Sequence, residues 1–180
     1  MKKQLIASLV GGLIIFIWQF LSWSILNIHG AEFQYTASQD KIMECLVQQN
    51  LEEGAYFIPQ APTGSTSQEE QAFMESSLGK PWATISYHKA MSMNMGMNMF
   101  RGFVVDVVAV FLLVWLLLKI TNLNFNTPLL ASLAVGAMGY LTIPYLNSIW
   151  FETNTIGYII DTVVQWGLIG AWLGWWLNRE

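Results

Sequence analysis

Two aspartates stand inside apolar runs, and each arrives in the same local sequence. Gly102-Phe103-Val104-Val105-Asp106-Val107-Val108 returns as Gly157-Tyr158-Ile159-Ile160-Asp161-Thr162-Val163, an offset of 55 residues (157 − 102). Upstream, Ala7-Ser8-Leu9 with Gly12 returns as Ala131-Ser132-Leu133 with Gly136, offset by 124 (131 − 7). A carboxylate in such a run is costly and marks a candidate site. If the repeat is a pseudo-twofold, the two acids approach each other, and two close carboxylates do not both ionise cheaply. One then holds a proton, or the pair binds a cation.

Other polar groups fall at similar depth. Gln19 belongs to the first run, Gln165 lies one turn below Asp161, and Thr142, Tyr145 and Asn147 accompany Pro144 in the third. Asp106, Asp161, Gln19, Gln165 and Tyr145 form the candidate binding pocket. Plainer readings stand beside it. An acid near a helix N-terminus complements the helix dipole, and Arg101 or Lys89 is a ready partner for Asp106. The amides and hydroxyls can join helices, at about 1 kcal/mol per hydrogen bond.

The run Met91, Met93, Met95, Met97, Met99 offers soft thioether sulfur, which suits Cu(I), and His88 adds an imidazole. Methionine more commonly fills packing gaps, and that reading is preferred here. No cofactor is expected, with Cu(I) as the alternative. His29 and His88 are the only histidines, and their spacing fits no haem attachment pattern. Cys45 has no intrachain partner and reads as a small hydrophobe on a helix face. The hydroxyls of Ser65–Ser67 have no base at defined spacing, so no catalytic role is expected.

The elements that position these residues follow from composition. Of 180 residues, 54% are hydrophobic and 11% charged, too few charges for an ordinary soluble domain. Apolar runs at about Leu5–Ile28, Gly102–Ile120, Leu129–Trp150 and Ile156–Leu177 are each long enough for a hydrocarbon layer of about 30 Å at about 1.5 Å per residue. The first continues through Trp18, Phe20, Trp23 and Leu26 with no small-x-small cleavage site after it, so it reads as an uncleaved helix. A net charge of −4 without a basic stripe gives no reason to expect nucleic acid. Lys2, Lys3, Lys119 and Arg179 fall on one side if the runs alternate, which predicts both termini in the cytoplasm and residues 29–100 outside. Tryptophans 18, 23, 150, 172, 175 and 176 mostly mark run ends.

In the segment between the first two runs, Ser38 is the expected cap of a helix through about Glu53, with Gly54 as its stop. Ser67 and Glu70 read as the capping box of a second helix ending near Gly79. Ala55–Pro59 and Trp82–His88 read as strands that pair. Ser132 with Gly136 and Gly170 with Gly174 are small-x-x-x-small pairs that predict close packing of the third and fourth spans.

Trp18-Gln19-Phe20-Leu21-Ser22-Trp23, Gly54-Ala55-Tyr56-Phe57-Ile58-Pro59, and Pro144-Tyr145 with Trp150-Phe151 form an ordered set. With it the chain resembles a group of small bacterial inner-membrane proteins of four helices with an external insert in the first hairpin. The resemblance implies topology and a bacterial origin, and it implies no activity or functional residue.

The expected architecture is an all-α membrane fold, a four-helix transmembrane bundle from two tandem hairpins. Spans are expected at 1–28, 101–120, 128–150 and 156–177, with a small α+β extracytoplasmic insert at 29–100. Three functions compete. The first is a non-enzymatic accessory or scaffold subunit of a bacterial envelope complex. The second is a small-solute, proton or cation binder or translocator using the paired carboxylates, and the third a copper-handling protein using the methionines. Expected partners are membrane lipid and a homodimer or larger membrane complex.

Overall fold

The computed structural model describes residues 2–179. It is mostly helical, at 65%, with four helices long and apolar enough to cross a membrane and a small two-stranded sheet. The chain divides into two compact units, residues up to Gln34 with those from Asn94 onward, and Tyr35–Met93.

In the first unit, α1 (Lys2–Phe20) runs into a π-type turn at Leu21–Ile25. Then come α4 (Met95–Leu117), α5 (Asn126–Tyr140), a second π-type turn (Leu141–Tyr145) continuing as α6 (Leu146–Phe151), and α7 (Ile156–Leu177). Helix α1 packs against both α4 and α7, and α5 packs against α7. The buried core is Ala7 and Ile15 of α1, Val110, Leu113, Val114 and Leu117 of α4, and Ile169 and Leu173 of α7. Close approach needs glycine, as two positions illustrate. A Cβ on Gly12 would lie 2.7 Å from Cα of Val107, and one on Gly170 would lie 2.7 Å from Cα of Leu129. Helices α5 and α7 are therefore as tightly apposed as the small-residue pairs predict.

The Lys3 ammonium donates to the Leu177 carbonyl at 3.2 Å, and the Trp176 indole donates to the Lys3 carbonyl at 3.0 Å. The start of α1 thus lies beside the end of α7. Helix α4 begins at Met95, ahead of the apolar run's Gly102, because the Asn94 side chain accepts from the Met97 N–H at 3.1 Å and caps it. Asp106 is therefore about three turns inside its helix. Pro144 has no N–H for the carbonyl four residues back, and the backbone widens there into the π-type turn.

In the second unit, α2 (Gln39–Gln48) precedes β1 (Gly54–Ile58), α3 (Ser67–Ser77) and β2 (Ala83–Tyr87). The strands pair antiparallel, with Tyr56 opposite Ile85. Three details depart from expectation. Ser38 sits at the cap position without a side-chain cap bond. The chain leaves α2 at Asn50, whose left-handed φ of 50° turns it before Gly54 is reached. The capping box is Thr66 with Glu69, one residue ahead of Ser67 and Glu70. Both pairs have the right spacing, and the Thr66 N–H donates to Glu69 at 2.8 Å.

Candidate functional site

The C-terminal end of α1 and the turns after it gather the polar groups, because the chain there leaves regular helix without leaving the bundle. After the π-type turn, Asn27 adopts a left-handed φ of 50°. The Gly30 N–H then donates to Asn27 and the Glu32 N–H to His29, at 3.1 and 2.9 Å. This tight turn folds His29 back onto the first turn of α7, where it is buried. Gly157 leaves room for the ring: a Cβ there would lie 2.8 Å from His29 Nδ1. Trp23 stacks on the imidazole at 3.9 Å between ring centroids, and Tyr158 meets it edge-on at 5.0 Å.

Both ring nitrogens face carboxylates. Nε2 lies 2.9 Å from Asp161 Oδ2, and Nδ1 lies 3.1 Å from Glu32 Oε2. Asp161 Oδ1 accepts from the Ser22 hydroxyl at 2.6 Å and the Trp18 indole at 3.0 Å. The Tyr158 hydroxyl donates to Glu32 Oε1 at 2.5 Å. A neutral imidazole has one N–H and one lone pair. Set between two ionised carboxylates, its lone pair would oppose theirs. An imidazolium can donate to both acids, and a neutral ring to one of them.

Asp106 is differently placed. Its Oδ1 accepts from the Gln19 amide at 3.2 Å, and its buried Oδ2 has no partner among the described residues. It borders a cleft of about 380 Å³ with Gln19, Asn98, Arg101, Gly102 and Val105. Asp161 borders a second cleft, of about 440 Å³, with Gln19, Gln165 and the aromatic rings of Trp23, Tyr140, Tyr158 and Trp166 among its walls. The two acids thus line separate clefts that share Gln19, and both bond to neighbouring residues of α1.

Of the other residues singled out in the sequence, Gln165 borders the Asp161 cleft and Tyr145 borders neither. Tyr145 is half exposed, with its ring 6.0 Å from that of Tyr140. Thr142 donates to its own helix at Met138, and Asn147 is exposed. Lys89 pairs with Glu52 at 2.8 Å rather than with Asp106. Arg101 has no ion pair among the described residues.

The methionines are all exposed, from 43% at Met99 to 90% at Met91. Met95, Met97 and Met99 belong to α4, while Met91, Met93 and His88 belong to the other unit. His88 lies 3.4 Å from the Ser86 hydroxyl. The ring nitrogens of His29 are both taken by carboxylates, which leaves neither free for a haem or copper ion.

Sequence reasoning missed His29, Glu32, Ser22, Trp18 and Tyr158 as a group. Two signals pointed to them. Trp18 near the end of α1 and Ser22 in the π-type turn that continues it are four apart, as are Gly157 and Asp161 on α7, a spacing that puts helical residues on one face. His29 and Glu32 are three apart, which one tight turn brings together. Comparison with protein-family models, curated proteins and solved structures found no match for this chain.

Proposed function

We propose that this chain is a proton- and small-solute-binding integral membrane protein, with the Asp161–His29–Glu32 array as its proton-holding element. One observation carries the reading: a buried imidazole faces a carboxylate oxygen from each ring nitrogen, at 2.9 and 3.1 Å. A structural ion pair needs one carboxylate. The second makes the occupancy of the array depend on a proton, and Tyr158, Ser22 and Trp18 supply donors that hold both acids in place. Gln19 links this region to Asp106, so the paired carboxylates expected from the repeat act through α1 rather than by direct contact.

The setting we infer is a bacterial inner membrane with both termini cytoplasmic. The Lys/Arg bias supports it, as does the contact between the start of α1 and the end of α7. The tandem-hairpin reading is supported by the matched glycines. Gly12 makes the close approach to α4 at Val107, and Gly136 makes it to α7 at Trp166.

The test is proton flux. Full-length protein in sealed vesicles with an entrapped pH dye should dissipate an imposed pH gradient faster than empty vesicles. Asp161→Asn and His29→Gln should abolish the difference. Wild-type vesicles that hold the gradient like empty ones sink translocation. Proton release unchanged between wild type and Asp161→Asn on titration in detergent sinks proton binding as well.

A second reading, the accessory subunit of a larger envelope complex, has one observation in its favour. Only 11% of the most apolar stretch of Asn126–Phe151 is buried, against 28–33% for the other three spans. That helix has the most surface left for a partner in the membrane. Co-purification of one stoichiometric membrane protein, lost when bulky residues replace this surface, would favour it.

A further inference from the structure

The cleft beside Asp106 has a charge pattern that selects its ligand. We propose that it is a binding site for a small water-soluble zwitterion of the amino-acid class, with the ammonium on Asp106 and the anionic group on Arg101. The inference rests on the reading of the chain as a solute-binding membrane protein and names the solute.

Asp106 is buried, and among the described residues its Oδ2 lacks a partner while its Oδ1 takes only the Gln19 amide. Arg101 borders the same cleft with its guanidinium unpaired among the described residues. Five residues of helix separate the two, a rise of about 7.5 Å, which keeps them from pairing directly along the helix. A lone cation in this cleft meets the repulsion of Arg101, and a lone anion meets that of Asp106. A ligand carrying both charges satisfies both, and Asn98 and Gln19 add amide partners. A volume of about 380 Å³ admits a small solute. Gly102 keeps the wall open, since a Cβ there would meet nothing within 4 Å.

The order of the charges excludes a zwitterionic lipid headgroup. Asp106 lies farther from the Met95 end of α4 than Arg101 does, and so deeper in the span. A phosphatidylethanolamine headgroup entering from that end has its phosphate deeper and its amine outermost, the reverse of what this cleft offers. A soluble amino acid can enter amine first.

Calorimetric titration of the full chain at fixed pH tests this, using glycine and 4-aminobutanoate as probes and acetate and ethylammonium as single-charge controls. Saturable binding of at least one zwitterion is expected, with neither control binding. Arg101→Gln and Asp106→Asn should each weaken it by at least about tenfold. Gly102→Leu, which fills open space and leaves both charges, should block it while the helical circular-dichroism signal is kept. Failure of both zwitterions to bind folded wild type, binding of a single-charge control as tight as that of the zwitterions, or undiminished binding to Gly102→Leu would each overturn the proposal. Protein in nanodiscs with and without phosphatidylethanolamine separates the sources: competition by that lipid against the zwitterion would overturn the charge-order argument. The assay uses no gradient and alters neither Asp161 nor His29, so proton flux can fail while zwitterion binding holds, and the reverse.

Discussion

A carboxylate in an apolar bundle is held by the donors around it, and the two aspartates differ sharply in that respect. Among the described residues Asp161 has three hydrogen-bond partners, Trp18, Ser22 and His29, whereas Asp106 has one, Gln19. Replacing Asp161 with Asn leaves His29 and Glu32 without their closing partner inside the bundle. Thermal unfolding in detergent should show a loss of about 1–3 kcal/mol, the usual result of disturbing a buried hydrogen-bond network. Asp106→Asn keeps an oxygen that can accept from the Gln19 amide and should change stability by no more than about 1 kcal/mol. Equal losses would mean that the repeat, and not the local donors, sets what each acid does. The repeat located both acids from sequence. It did not reveal the donors, because Asp161 is served by residues 143 and 132 positions away in the chain.

Among the elements, the helices were plain in the apolar runs, and their ends were not. Asn94 begins α4 earlier than hydropathy implies, because a single side-chain oxygen accepting the Met97 N–H decides where a helix starts. The π-type turns at Leu21–Ile25 and Leu141–Tyr145 were likewise invisible to composition, although Pro144 announced the freed carbonyl at the second. The packing of α5 on α7 was legible from its small residues. Gly170→Ala places a methyl 2.7 Å from the Leu129 backbone, so it should destabilise the bundle by about 1–3 kcal/mol, read as a lower unfolding temperature in detergent. No change would mean that the helices are not in contact there. Outside the spans, the Thr66 backbone and hydroxyl hold the Glu69 carboxyl below its ordinary value of 4.5. A folded-state value below the unfolded one stabilises above the unfolded value and is lost as pH falls through the folded one. Helix α3 should therefore loosen below about pH 4.5 in hydrogen exchange, and Glu69→Gln should remove that pH dependence.

On the scale of the whole molecule, the contact of Lys3 with Leu177 sets the start of α1 beside the end of α7. A reporter fused after Glu180 should therefore read the same compartment as one fused ahead of Met1, and from the Lys/Arg bias the expected readout is cytoplasmic. Readouts from opposite sides would overturn the four-span topology. The four long apolar helices and the small sheet were legible in the sequence alone, because length, hydropathy and period are local properties. Which side chains meet was decided only in three dimensions. Residues of α1, of the turn that follows it and of α7 become neighbours when that turn folds back onto α7, and no local pattern encodes a contact made at that distance. The carboxylates were therefore readable as an oddity, and the histidine that gives one of them its chemistry was not.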